Sequence, residues 1–315
     1  MNKICLGFVG VGKIASEHIK VINKSNDTKV VACTSKRIDS AKKFASKNKI
    51  PNHYNNINKM LHNHKLDGIL VLVPPDQIFK TVKFLLPFKI PLLIEKPAGL
   101  NLDEANILAK LSIKHKCLNM IGYNRRYYSI FTKGLKEIKK KGPLFSIFIE
   151  GHERIWKLDS KINTKIKNNW IYSNSTHTLD LLRFFGGEIS NLNVAKNIHN
   201  KKFVDNYSLT IKYKSGTIGT YISNWHSPGG WSIKLFGLGI TVIFNPLEEG
   251  YWIDKKFNIH KIFPDKVDKS FKFGFYKQMT EFKKLIINKG KQIWPNQNLN
   301  DSYKTMLIIN KIQKH

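Results

Sequence analysis

Ile4-Cys-Leu-Gly-Phe-Val-Gly-Val-Gly-Lys-Ile-Ala15 decides the fold. Its opening apolar run suits one buried strand, and the residues that follow, IASEHIKVIN, offer a helix. Gly10, Gly12 and Ala15 fall at the turn from strand to helix. In that context the pattern G-x-G-x-x-[GA] predicts a dinucleotide cradle. Gly10 permits the tight turn, Gly12 lets backbone N–H groups reach a pyrophosphate, and Ala15 lets the helix pack close to the strand. Lys13 and Ile14, between them, count among the cofactor-binding positions. Glycines and a helix signal directly after the apolar run argue against a signal peptide.

Working outward, short apolar runs alternate with helical stretches up to about residue 122. The runs are ICLGFVG, KVVACT, GILVLVP, PLLIEKP and CLNMIGY. IASEHIKVIN, SAKKFASKN, INKMLHNH and DEANILAKLSIKH supply the helices. This alternation predicts βαβ units and an α/β domain with a doubly wound parallel sheet. Asn101-Leu-Asp-Glu104 has capping-box spacing and sets a helix start near Leu102. Beyond residue 123 the texture becomes β-rich, with hairpin turns at Ser215-Gly216 and Asp254-Lys255-Lys256. An α+β domain with an open, largely antiparallel sheet is expected there. Its helices would be FTKGLKEIKKK, THTLDLLRFF stopped by Gly186-Gly187, FYKQMTEFKKLIIN and DSYKTMLIINKIQ. Two domains follow, 1–122 and 123–315, consistent with a length above the usual single-domain size.

The net charge of +31 raises the question of a polyanionic partner. Arginine occurs only at 37, 125, 126, 154 and 183, and the many lysines are spread along the whole chain. A dedicated nucleic-acid protein concentrates its charge, so no specific nucleic-acid partner is expected and an anionic small molecule fits better. No apolar stretch approaches the ~20 residues of a membrane span. Cys5, Cys33 and Cys117 are odd in number and lack metal spacing, which points to thiols in a reducing cytoplasm and to no metal site. At the end of the second apolar run stand Ser35, Lys36 and Arg37, with no acid before Asp39. A hydroxyl and two cations suit a ribose 2′-phosphate, favouring NADP(H) over NAD(H).

GFVGVGKIA, LVPPD, LLIEKPAGLNLDEA, GYNRRY and STHTLDLLRFFGG occur in an order and spacing that resembles the Gfo/Idh/MocA oxidoreductases over nearly the whole chain. The resemblance implies a Rossmann domain and NAD(P)-dependent redox chemistry on sugars, polyols or their derivatives. It also implies homodimers or homotetramers packed through the C-terminal sheet. Pro74, Glu95 and Lys96 match cofactor-side positions; Lys96 matches the lysine that hydrogen-bonds the reacting hydroxyl, and its bond to Pro97 is expected in the cis form. His177 matches the histidine that exchanges the hydroxyl proton. It falls in the first turn of a predicted helix, whose dipole disfavours imidazolium, and Asp180 three residues on would orient its ring.

Ser173 and Ser175 depart from this pattern, standing where many relatives carry an acid and a glycine. Ile78 stands about where the family often has a histidine. Ser173 and Asn174 are counted as substrate-binding in the acid's place. Tyr123, Asn124 and Arg125 join them; Arg125 or Arg126 suits a phosphate or carboxylate, and at least one of the two a structural bridge between domains. Trp225 and Trp231 flank a loop suited to stacking on a sugar ring or to plain core packing. The charge makes a nucleotide-linked or acidic sugar, as in surface-polysaccharide synthesis, the natural substrate class. The missing acid motivates an alternative, a non-catalytic regulator or scaffold that binds cofactor or sugar.

Overall fold

The structure is a computed structural model and describes residues 3–199, 204–289 and 294–314. It divides into two compact units: Met1–Asn124 with Ser270–Tyr303, and Arg125–Lys269 with Lys304–His315.

The first unit is built from β1 (Ile4–Val9), α1 (Lys13–Asn23), β2 (Thr28–Thr34), α2 (Ile38–Asn48), β3 (Asn52–Tyr54), α3 (Ile57–Asn63), β4 (Gly68–Val71), α4 (Pro75–Leu85), β5 (Leu92–Ile94), α5 (Leu102–Lys114) and β6 (Asn119–Ile121). Its six strands lie in the order β3-β2-β1-β4-β5-β6, all parallel, which is the doubly wound arrangement expected. Leu6, Phe8, Leu70 and Leu93 are buried because helices cover both faces of such a sheet. The capping box forms: Asn101 Oδ1 accepts from Glu104 N–H at 2.8 Å, and Glu104 reaches back to Leu100 N–H at 2.8 Å. The helix starts at Leu102, as its spacing predicted.

The second unit contains α6 (Ser129–Lys141), β7 (Leu144–Gly151), α7 (Thr164–Asn168), α8 (Thr176–Gly186), β8 (Ile189–Lys196), β9 (Asn206–Tyr213), β10 (Ile218–Asn224), β11 (Trp231–Gly237), β12 (Ile240–Phe244), β13 (Gly250–Asp254) and β14 (Ile259–Ile262). Its strands run β14-β13-β12-β11-β7-β10-β9-β8 and are antiparallel except for the β7–β10 pair. Ile147, Ile149, Leu209, Tyr221 and Leu235 alternate inward on these strands. Gly216 (φ +87°) makes the tight turn between β9 and β10, and Gly187 (φ +80°) ends α8.

The final helices are α9 (Lys266–Ser270), α10 (Phe275–Asn288) and α11 (Leu299–Lys314). Here the structure corrects the expected division at residue 122. The helix over FYKQMTEFKKLIIN does not partner the antiparallel sheet but belongs to the first unit. Its apolar stripe covers the far end of the parallel sheet. A side chain on Gly68 would meet Ile286 at 2.8 Å and Phe282 at 3.2 Å, so α10 sits tightly over β4. Lys283 of α10 pairs with Asp27, just before β2, at 2.9 Å.

Candidate active site

In a doubly wound sheet a ligand lies beyond the carboxyl ends of the strands where their order reverses, here between β1 and β4. Gly10 follows β1 with φ +101°, and a Cβ there would lie 2.6 Å from the Leu72 carbonyl oxygen and 2.9 Å from Val73 N. Only glycine fits so close an approach of two backbones. Gly12 is different. Its φ of −74° suits any residue, and a Cβ would meet nothing within 4 Å. Nothing in the protein requires glycine there; open space at the start of α1 does, if a phosphate is to reach the amides.

That helix has no side-chain N-cap, which leaves its leading N–H groups available to an anion. Lys13 opens α1 on the surface, Ile14 is half-buried, and Ala15 is fully buried with its N–H on the Gly12 carbonyl at 3.0 Å. These residues fit a dinucleotide pyrophosphate. Gly12→Val should therefore unfold at the same temperature as the parent yet bind NADPH about tenfold more weakly, a loss of roughly 1.4 kcal/mol. Calorimetry together with a fluorescence titration checks it, and an equal loss of stability would count against the cradle.

Ser35 donates its backbone N–H to the Tyr54 carbonyl at 3.1 Å, fixing the end of β2. Lys36 Nζ donates to Gln77 Oε1 at 2.9 Å, and Arg37 is exposed at the N-cap of α2. Pro74 is the N-cap of α4, beside β4. Glu95, Lys96 and Pro97 follow β5, and the Lys96–Pro97 bond is cis, as expected. A residue the sequence reading missed supports this loop. His18, wholly buried on α1, places Nε2 3.3 Å from Glu95 Oε1, with its ring 4.7 Å from that of Phe275. Its only sequence signal is a polar residue on the apolar stripe of Ala15, Ile19 and Ile22.

Tyr123 and Asn124 depart from expectation. Tyr123 lies in the apolar core of the first unit with Ile121 and Leu299. Asn124 is buried and donates Nδ2 to the Phe273 carbonyl at 2.9 Å. Both serve the fold of the first unit.

In the second unit His177 is buried on α8, its ring centroid 6.1 Å from that of Trp231. The helix does not begin at His177's turn. A π-helical turn at Ile171–Ser175 runs straight into α8, so the amides around His177 lie inside a continuous helix and the expected dipole effect is lost. Asp180 also has another task. Its carboxylate accepts from Arg126 Nε at 2.6 Å and Nη2 at 2.8 Å, and from Thr305 Oγ1 at 3.0 Å. With both side chains buried this is a bidentate ion pair, which gives Asp180 an anchoring role that helical spacing did not show.

Ser173 turns its hydroxyl back to the Trp170 carbonyl at 3.3 Å. Asn174 and Ser175 instead hold a carboxylate that sequence reasoning missed, Glu153. It is 5% exposed and accepts from Asn174 Nδ2 at 2.8 Å, Ser175 Oγ at 2.7 Å and Trp170 Nε1 at 2.9 Å. Within HERI nothing local marks it; the contacts span about twenty residues. The π-turn leading to His177 thus carries a carboxylate supplied from the end of β7.

Beside Glu153 opens a cavity of about 760 Å³, lined in part by Arg125, Arg154, Trp170, Trp231 and Glu248. The Arg125 guanidinium lies over the Trp231 ring at 4.4 Å. Trp225 is core, with Nε1 on Ser223 Oγ at 2.9 Å, so of the two loop tryptophans only Trp231 reaches this cavity.

Residues 4–123 match the Gfo/Idh/MocA oxidoreductase family, NAD-binding Rossmann fold. Over this first stretch the chain resembles that family. A myo-inositol 2-dehydrogenase of Thermotoga maritima is 21% identical over 74% of this chain and 72% of its own length. The rhizopine catabolism protein MocA of Rhizobium meliloti is 27% identical, but over 47% of this chain and 46% of its own. That match spans about half of either protein. The solved structure of a levoglucosan dehydrogenase in complex with NADH and L-sorbose superimposes with a TM-score of 0.84, covering 99% of this chain and 96% of that one. At 14% identity it shows a shared fold in both units. The first unit is thus similar to NAD-binding oxidoreductases, and the longer match is to a myo-inositol 2-dehydrogenase.

Proposed function

We propose that the protein moves a hydride between a nicotinamide cofactor, NADP(H) in preference to NAD(H), and a hydroxyl-bearing carbon of a sugar, polyol or nucleotide-linked sugar, as in surface-polysaccharide synthesis. The observation that carries the reading is Gly12: a glycine that the protein's own packing does not need, at an uncapped helix start, beside a Gly10 that the turn cannot do without. Bound there, the nicotinamide supplies the hydride chemistry.

The chain's own residues supply position and charge. Gly10, Gly12 and the amides of Lys13 and Ile14 hold the pyrophosphate, with Ala15 packing the helix close to the strand. Ser35, Lys36 and Arg37 meet the 2′-phosphate, with Gln77 steadying Lys36. Glu95, held by His18, fixes the loop that presents Lys96. Lys96 donates to the reacting oxygen and stabilises charge that develops on it, while His177 exchanges its proton. Glu153, held by Asn174 and Ser175, brings a carboxylate to the turn before His177, which favours an enzyme over the regulator that Ser173 suggested. A second copy would pack on the outer face of the eight-stranded sheet, where Ile218 is exposed beside Phe148 and Ile222.

Titrating the protein into NADPH and, separately, NADH while following nicotinamide fluorescence tests the reading. NADPH should bind several-fold tighter, and the double variant Lys36→Ala, Arg37→Ala should erase that difference by removing two cations near the phosphate. Failure of the folded, cofactor-free protein to bind either nucleotide would move the scaffold reading to the front.

A further inference from the structure

Arg125 is the charged group whose surroundings are least like those of a structural ion pair. Its neighbour in sequence, Arg126, forms a bidentate pair with Asp180. Arg125 does not follow that pattern: its buried Nε has no hydrogen-bond partner, and its guanidinium lies on the indole of Trp231 at the cavity wall. Two nearby carboxylates attract it, but each is bound to other donors. Glu248 accepts from Tyr128 Oη at 3.1 Å, and Glu153 accepts from Trp170, Asn174 and Ser175. Asp159, also on the cavity wall, accepts from the Lys161 N–H of its own turn at 2.8 Å. Burial accordingly disfavours the charged form of Arg125, lowering its pKa, while Tyr128, Glu248 and Glu153 oppose that shift.

A guanidinium in this position is costly unless something pairs with it, because desolvating a charge without a hydrogen-bonding partner opposes folding. Its planar fork matches the two oxygens of a carboxylate or phosphate. Stacking on Trp231 holds that fork at one angle. Arg154, tied by Nε to the Gly229 carbonyl at 2.9 Å, and Lys157 add positive charge to the same cavity. Glu248 offers an acceptor for hydroxyl groups.

We infer that this cavity binds an anionic sugar, with its carboxylate or phosphate on the fork of Arg125 and its hydroxyls toward Glu248. The inference rests on the proposed reading that the protein acts on a sugar, polyol or nucleotide-linked sugar, and it narrows that substrate to a class.

The test uses the full-length protein without cofactor at physiological salt. D-glucuronate, D-glucose 6-phosphate and D-glucose are titrated in turn, following tryptophan fluorescence. At least one anionic sugar should bind tighter than glucose, and which one does so separates a carboxylate site from a phosphate site. Arg125→Gln should weaken the anionic ligand about 30-fold or more, the loss expected when one partner of a desolvated pair is removed, while leaving glucose unchanged. Arg125→Lys, which keeps the charge without the fork, should recover only part. Thermal unfolding adds an independent reading: removing a half-buried cation whose Nε lacks a partner should leave the midpoint of the free protein unchanged or higher.

Equal binding of the three sugars, no saturable binding of either anionic one, or a lower midpoint for Arg125→Gln overturns the proposal. Because no nucleotide is present, loss of the oxidoreductase reading leaves this result standing. Conversely, a protein that binds NADPH but treats the three sugars alike loses only this inference.

Discussion

Lys96→Met lowers kcat by about 10²–10⁴-fold, the range of a positioned proton-transfer or oxyanion-stabilising group, and leaves the dissociation constant of NADPH within about threefold of the parent. The expectation comes from where the residue sits. It follows β5 on the cofactor side of the first unit, in a loop that His18 fixes through Glu95. Methionine keeps the length and most of the volume of lysine, so the loop should hold its shape while the charge and donor disappear. Lys96→Arg restores the charge with a wider, planar head and should recover little, because position matters as much as charge. Stopped-flow measurement of hydride transfer separates the chemical step from cofactor binding. An unchanged rate in Lys96→Met would remove the lysine from the mechanism.

The second large effect concerns stability. Asp180→Ala should destabilise the second unit by about 3–5 kcal/mol, because it leaves the buried Arg126 without its bidentate partner. Thr305 loses an acceptor as well, which loosens the end of the chain from α8. Urea unfolding checks the magnitude. The double replacement Arg126→Met with Asp180→Leu should recover most of the loss, since a buried pair can be exchanged for apolar side chains far more cheaply than it can be halved. If Asp180 acted instead on His177, Asp180→Ala would fall in activity at unchanged stability, and the double replacement would rescue neither.

The parallel sheet was legible because its signals are local. An apolar run, a glycine turn and a capping box each act within a few residues, and Gly10, Asn101 and Leu102 lie where those signals put them. β3 left no such trace: Asn-His-Tyr is three polar or half-polar residues at an edge, with no alternation to read. The site was legible by residue and illegible by partner. Asp180 looked like the companion of His177 because helical spacing is visible in a sequence; its pairing with Arg126, 54 positions away, is not. Glu153 was hidden for the same reason, its three donors being drawn from a different element. The helix over residues 275–288 has an apolar stripe that any sheet could bury, and periodicity says nothing about which one does.

The path of that last segment affects how the protein is made. Its parallel-sheet unit is stitched from two stretches of polypeptide, with the antiparallel unit inserted between them. During synthesis the parallel sheet emerges first, yet Gly68 at the start of β4 stays uncovered until α10 has left the ribosome, about two hundred residues later. A nascent chain of this kind carries an open apolar surface for most of its elongation. Cells producing the protein should therefore depend on chaperones to a degree that the finished molecule, with that surface closed, gives no sign of.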